Sequence, residues 1–432
     1  MKHLSLHTRA FSTLVLLYLH LNIHSAFGQN VGIGTDMPNA RLHVNDGSVV
    51  FASSFLAYPL PGAAPVNGPG SRMMWYANKA AFRAGLVGGG QWDEANVGLG
   101  SIALGHNVSA RYQYSVAIGS NNASNGYASI ALGGGNIADG NYSLAFGSNT
   151  SAMGLQSAAI GRNAVAEGAY ALSIGNYTSA NGVSSISLGN SATASTFSQI
   201  TLGSYNVPVS GNASSWDASD PLLVLGNGTS SFARSTALTV LKNGNTGIGT
   251  GSPQARLQIE GNQLIRRNSF TGSAHLTLEE TQSGDGSRLQ FRNSTIGDKY
   301  WDVYGLTHAS SPADAYFNIY YHTVGNTMSL RGNGNVTFKG TVSQNSDARL
   351  KKDIGPLDDV VGKLLRISGY RYHWKEKGLD STWQAGLLAQ EVEAVMPELV
   401  YTADDGTKSV NYSGLIPYLL EAIKLLLEQK QK

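Results

Sequence analysis

From residue 101 to 203 one five-residue phrase returns every fourteen positions. SIALG ends at Gly105, SVAIG at Gly119, SIALG at Gly133 and SLAFG at Gly147; SAAIG, ALSIG, SISLG and QITLG follow at Gly161, Gly175, Gly189 and Gly203. Within the phrase, apolar residues stand two apart, as Ile102 and Leu104 or Val116 and Ile118 do. That alternation predicts a short strand with one aliphatic face and one face of Ser and Ala, the latter allowing a neighbouring layer to come close. The glycines allow a positive-φ turn at each strand end. A second series keeps the same period at Gly126, Gly140, Gly154, Gly168 and Gly182, and a mostly alanine column runs through Ala110, Ala138, Ala152, Ala166, Ala180 and Ala194. A unit this short cannot bury its aliphatic face alone. Stacked units can, which predicts a solenoid with two short strands per coil.

The pattern differs on either side. NVGIGTDMPNARLHV (30–44) returns as NTGIGTGSPQARLQI (245–259), with a weaker echo at NGNVTFKG (333–340). Each reads as a small β module with a glycine-rich turn. No Lys-Ser/Thr opens a helix after these glycines, which argues against a phosphate loop. RMMWYANKAAFRAG (72–85) is placed to cap the solenoid, as terminal repeats must be capped. Residues 262–342 alternate in short aromatic-rich strands and predict a further β domain. There Tyr300, Trp301, Tyr304, Tyr316, Phe317, Tyr320 and Tyr321 read first as strand core, and alternatively as a sugar-stacking face.

At Ser346 the period changes. PLDDVVGKLLRI (356–367) reads as a helix, GLLAQEVEAVMPEL (386–399) as a short helix stopped at Pro397, and SGLIPYLLEAIKLLLEQKQK as a helix with a coiled-coil stripe of Leu415, Leu419, Ile423, Leu426 and Leu427. YRYHW and two strands around Asp405-Gly406 lie between them. From Ser346 onward 25 of 87 residues are charged, whereas residues 101–203 carry only Arg111, Asp139, Arg162 and Glu167. A solenoid surface that bare predicts an obligate oligomer.

Composition narrows the chemistry. The 432 residues carry a net charge of +2, which gives no electrostatic case for nucleic acid. There is no cysteine, which excludes disulfides and thiolate metal sites, and the histidines show no metal-ligand spacing. No cofactor is expected. Residues 1–28 read as a secretory signal: Lys2 and Arg9 precede an apolar run from Phe11 to Ile23, then Ala26-Phe27-Gly28. That run contains His20 and Asn22 and is short for a bilayer span. The mature chain is therefore expected to be exported, secreted or at the cell surface, with no transmembrane segment.

SQNSDARLKKDI (343–354) brings a Ser, an Asp, an Arg and two Lys together at the compositional break. A serine hydroxyl attacks only when a base takes its proton, and lysine can be that base. A spacing of five does not align Ser346 and Lys351 on a regular helix, so Ser346 must lie at a bend or at a strand end, with Lys351 folding back. Ser followed by Asp-x-Arg is equally a helix N-cap.

Two resemblances give these patterns a context. The SxAxG ladder, over about 96–208, resembles the head of YadA-type trimeric adhesins, which implies a left-handed parallel β-roll, a homotrimer and use as a binding surface. The C-terminus does not resemble the membrane anchor of those adhesins. SDARLKKDI, GLLAQEVEAVMPELV and VNYSGLIPYLLEAIKLL, in that order, resemble the self-cleaving intramolecular chaperone of phage endosialidase tailspikes. This second resemblance implies a domain that trimerises a fibre, aids its folding and cuts itself off. It assigns Ser346 as nucleophile, Lys351 as general base and Asn345–Ser346 as the scissile bond. Asp347, Arg349, Gln390 and Glu391 are implied as supporting motif residues. A rival route, cyclisation of the Asn345 side chain, needs no Lys351.

The fold expected is mainly β: a β-roll solenoid of 14-residue repeats with flanking small β modules in a fibrous homotrimer, and a small α+β C-terminal domain ending in a helix. The expected boundaries are 1–28 signal peptide, 29–95 module and cap, 96–208 β-roll, 209–261 linker and second module, 262–345 β domain of tail-fibre type, and 346–432 chaperone. The function expected is a surface-exposed or secreted trimeric fibre matured by self-cleavage. Its partners are itself and a surface glycan or matrix protein. The alternatives are a tailspike-like enzyme acting on external glycans, or a fibre whose last domain assembles without cleaving.

Overall fold

A computed structural model describes residues 30–52, 64–266, 274–282, 284–307, 311 and 313–431. The expected signal, 1–28, lies outside the described residues. The chain forms two compact units, one ending at Leu264 and the other beginning at Ile265.

The first unit is the solenoid with its caps. Eight five-residue strands, from Ile102–His106 to Ile200–Ser204, stack in parallel. Equivalent positions pair at every step, Gly105 with Gly119 and Gly133 with Gly147. Seven two-residue strands, from Ser109–Ala110 to Thr193–Ala194, form the second ladder. One coil is thus a long strand, a short strand and two corners.

The two glycine columns answer different demands. In the long strands, Gly147 has φ +131°, and a Cβ there would lie 1.9 Å from the Gly161 carbonyl oxygen. In the second column, Gly140 keeps an unremarkable φ, yet its Cβ would lie 1.9 Å from the Gly154 carbonyl oxygen. The first column therefore needs glycine for both dihedral and space, the second for space alone. The corners themselves are turned by other residues. Asn107, Asn121, Asn149 and Asn163 have positive φ at one corner, and Tyr114, Tyr142 and Tyr170 at the other. Asparagine tolerates this region. The tyrosines are held by their own N–H groups: Tyr142 donates to Tyr127 O and Tyr170 to Leu155 O, each at 2.7 Å.

Stacking does not bury the aliphatic face, contrary to the expectation from the repeat. The buried side chains on the long strands are Ala103, Ala117, Ala131, Ala145, Ala159, Ser173, Ser187 and Thr201, and the alanine column of the short strands is buried with them. An interior filled by such small side chains leaves no room for Ile or Leu. Those residues point outward: Ile118 is 38% and Phe146 50% exposed.

A buried cation lies at each end of the roll. The hairpin Gly70–Tyr76/Ala81–Val87 adds its second strand in parallel to Ile102–His106, which makes it the expected cap. The buried Arg83 guanidinium donates to Phe82 O, Ser101 O, Ser101 Oγ and Ala110 O at 2.7–3.1 Å. It satisfies carbonyls that a preceding coil would otherwise meet, and burial lowers its pKa to about 10. At the other end Pro221–Asn227 continues the parallel sheet. There the buried Lys242 amine lies 3.6 Å from Asp220, near the rings of Phe197 and Trp216.

The two GIGT modules share one construction. Val31–Ile33 pairs in parallel with Leu42–Val44, and Thr246–Ile248 with Leu257–Ile259. Gly34 and Gly249, equivalent in the repeat, both have φ +76°.

The second unit holds a five-stranded antiparallel sheet: Ser287–Arg292, Tyr300–Leu306, Tyr316–Tyr321, Gly325–Arg331 and Val336–Phe338, in chain order. Its pairing sorts the aromatics by face. Leu289, Val303, Ile319, Met328 and Phe338 share one face, which also carries Trp301, Phe317 and Tyr321. Tyr300, Tyr304, Tyr316 and Tyr320 lie on the other.

The α+β end of this unit packs Val360, Val392, Met396, Leu399, Leu415 and Tyr418 into a core. Helix Val360–Leu364 is shorter than the sequence pattern implies, and the short helix Ala389–Glu393 ends before a 3₁₀ turn at Pro397–Leu399. Helix Leu415–Lys430 divides the predicted stripe. Leu415, Tyr418 and Ala422 are buried, while Ile416, Leu419, Leu420, Ile423, Leu426 and Leu427 are exposed.

Two substitutions separate the glycine column from glycine content in general. Gly147→Ala is expected to cost about 3 kcal/mol. Gly134→Ala, where a Cβ meets nothing within 4 Å, should stay within about 0.5 kcal/mol. Denaturant midpoints of the two full-length variants check this.

Candidate functional site

Ser346 and Lys351 are brought together by one turn. Asp347 caps a 3₁₀ turn, Ala348–Leu350, accepting from the Arg349 N–H at 2.9 Å. Leu350 N–H donates to Asp347 O and Lys351 N–H to Ala348 O, both at 3.1 Å. The chain thereby reverses within five residues, and Lys351 Nζ donates to Ser346 Oγ at 2.8 Å. This is the bend that the spacing of five allowed. The N-cap of the turn is Asp347 rather than Ser346, so the serine hydroxyl is left to face the lysine.

The Arg349 guanidinium folds back onto the carboxylate that caps the turn, with Nε at 3.1 Å from both Asp347 oxygens and an Nη at 2.5 Å. The side-chain bond from Arg349, then its backbone N–H, holds Asp347 below the usual carboxylate range, and the same bond raises Arg349. The two residues therefore lock the turn. Asn345, Ser346 and Lys351 are all exposed.

The second motif lies elsewhere in the unit. Glu391 accepts from the Ser368 N–H at 3.1 Å and from the Tyr370 hydroxyl at 2.5 Å, tying its helix to strand Gly369–Tyr372. That bond is the main reason the Tyr370 hydroxyl titrates above its ordinary range. Gln390 is exposed beside it. Among the described residues neither hydrogen-bonds to Ser346 or Lys351. Sequence reading missed Tyr370 as the partner of Glu391, and Tyr412, whose hydroxyl accepts from the Leu387 N–H at 2.9 Å. Both contacts span more than twenty residues, and no local pattern marks them. An apolar hollow of about 560 Å³ opens between Leu364, Ile367, Tyr370, Leu387, Leu415 and Leu419. Among the described residues no cluster of three or more His, Asp or Glu is arranged to hold a metal ion.

Comparison with known proteins bears on both units. Residues 346–401 match the family model for the chaperone of endosialidase. Residues 97–122, 124–150 and 152–178 each match the model for the YadA head domain repeat. The chain is 43% identical over 88 residues to the long tail fiber protein Gp37 of Escherichia phage AR1, covering 18% of this chain and 8% of that protein. It is 37% identical over 113 residues to the protein of the same name from Salmonella phage S16, covering 24% of this chain and 15% of that one. The matches thus span less than a sixth of either relative. The chain combines YadA-head and endosialidase-chaperone modules in a fibre-like architecture.

The α+β core carries a titratable anchor. Tyr418 is buried and its hydroxyl donates to Glu398; burial first, and that bond second, push its pKa up to about 12. The fold favours the neutral hydroxyl, so its contribution is full below the ordinary tyrosine range near 10 and is lost as the pH rises through about 12. Absorbance titration at alkaline pH should show a late-ionising tyrosine whose transition coincides with loss of helical signal. Tyr418→Phe should uncouple the two.

Proposed function

We propose that the chain is an exported, homotrimeric fibre whose last domain assists assembly and is then released by cleavage of Asn345–Ser346. The 2.8 Å contact between Lys351 Nζ and Ser346 Oγ carries this reading. It is supported by the chaperone match, which begins at residue 346, the residue that would become the new N-terminus.

In the proposed reaction Ser346 Oγ attacks the Asn345 carbonyl carbon while Lys351 takes the hydroxyl proton. The Asn345–Ser346 C–N bond breaks, and the departing α-amine of Ser346 receives a proton. An ester between Asn345 and Ser346 Oγ remains. Water opens it, leaving a carboxylate on Asn345 and an N-terminal serine on the released domain. Each chain reacts once. The remaining fibre keeps its fold kinetically, because the segment that guided folding is gone.

Association is supported by three apolar surfaces that a single chain leaves in water: the outward Ile/Leu ladder, the face of the five-stranded sheet that holds Trp301 and Phe317, and the exposed stripe of helix Leu415–Lys430. A second reading, assembly without cleavage, is favoured by one observation. Ser346 and Lys351 are both open to solvent, whereas a lysine base works best when desolvation favours its neutral form.

An intact-mass spectrum of residues 29–432 decides between the two. Self-cleavage predicts fragments divided at Asn345–Ser346, with Ser346→Ala and Lys351→Ala remaining whole. A trimeric wild type that stays whole leaves only the assembly role, and cleavage that persists in Lys351→Ala points to Asn345 cyclisation. Light scattering tests the oligomer: Ile118→Glu combined with Ile160→Glu should lower the mass from three chains towards one.

A further inference from the structure

The five-stranded sheet has one face that is neither core nor apolar. Strand alternation places Gln290, Asp302, Tyr320 and Asn326 in one cross-strand row, with Arg288, Tyr304, Asn318 and Ser329 in the next. The tyrosines on this face form a continuous cluster. Tyr304 meets Tyr316 at 5.8 Å and Tyr320 at 6.4 Å between ring centroids, and Tyr320 meets Tyr300 at 6.4 Å. Tyr304 is oriented by its hydroxyl, which donates to Asn326 Oδ1 at 3.0 Å.

Beneath these rings lie two buried polar side chains, Asp302 at 7% and Asn318 at 2% exposure. Asn318 accepts from the Ser329 hydroxyl at 2.5 Å. Asp302 is the odd member. Among the described residues its one hydrogen bond comes from Gln290 Nε2 at 3.2 Å, and no cation lies within ion-pair distance. A carboxylate taken from water without a cation is costly, and its lone pairs exceed what one amide can satisfy. Pure packing would favour an apolar residue here.

We propose that this face binds a neutral carbohydrate. Tyr304 and Tyr320 supply ring faces for the C–H surface of a pyranose. Asp302 accepts from sugar hydroxyls, and the exposed Gln290 supplies the amide group that completes the hydroxyl pattern. A few placed polar groups among aromatic surfaces are the usual composition of a small-molecule site. Charge selects among glycans. Arg288 is already paired with Asp285, and Arg292 with Asp298 at 2.7 Å. A cleft of about 340 Å³ beside Arg288 adds Glu279 and Glu280. Arg331, which stands over the Tyr316 ring without an ion pair among the described residues, is outweighed by Asp302, Glu279 and Glu280, so a carboxylated or phosphorylated sugar is disfavoured. The opposite face is the apolar one proposed above for association, so both uses of the sheet are compatible. The carbohydrate site itself requires neither trimerisation nor cleavage.

The test is an array of hexose and N-acetylhexosamine oligosaccharides, neutral, sialylated and phosphorylated, probed with the full chain from residue 29. Titration calorimetry follows with the strongest neutral oligosaccharide. A neutral binder is expected, weakened at least tenfold by Asp302→Asn and by Tyr304→Ala, with an unchanged melting profile for Asp302→Asn. If Tyr304→Ala fails to fold, the shape-preserving Asp302→Asn decides alone. Binding confined to acidic sugars, binding to no sugar, or wild-type affinity in Asp302→Asn would overturn the proposal.

Discussion

The fold rests on how closely the backbones of adjacent coils approach. At Gly147 and Gly140 the next coil's carbonyl oxygen occupies the place where a Cβ would go. This contact leaves little freedom of register, because a slip of one residue would put a side chain where none fits. The period of fourteen is thus enforced sterically as well as by hydrogen bonding. The same closeness sets what lies between the two ladders: Ala, Ser and Thr fit, and larger residues do not.

From that follows the placing of the aliphatic residues. A usual half-buried sheet turns its Ile and Leu towards the core. Here the core is already filled, so the larger residues form a ladder on the outside. The five-stranded sheet and helix Leu415–Lys430 repeat the theme with Trp301, Phe317, Ile423 and Leu427. Much of the hydrophobic surface that a single chain normally buries is in this protein left exposed.

Much of the architecture was legible in the sequence, because a repeat states its own geometry. The eight strands, the alanine column, the N-terminal cap and the turn at Asp405-Gly406 follow from spacing and residue type. The side on which Ile118 lies did not follow, since alternation separates two faces without saying which is inside. At the junction, the spacing of Ser346 and Lys351 demanded a bend or a strand end, and Asp347 and Arg349 supply the bend by local hydrogen bonds. Partners such as Glu391 with Tyr370 escaped, being far apart in sequence. The two faces of the aromatic sheet were likewise hidden until pairing set which tyrosines stand beside Asp302.

The buried cations at the two ends of the roll give the solenoid an interchangeable length. Arg83 hydrogen-bonds the first coil and Lys242 lies buried beside Asp220 past the last, and neither contact involves the coils between. Parallel strands stand about 4.8 Å apart, so eight rungs extend about 34 Å, and adding or deleting one fourteen-residue coil alters that reach by a single step. Both closures would meet the same surfaces as before. The protein therefore carries a spacer whose span can be reset in whole units, through duplication or loss of one repeat, with no redesign of either end.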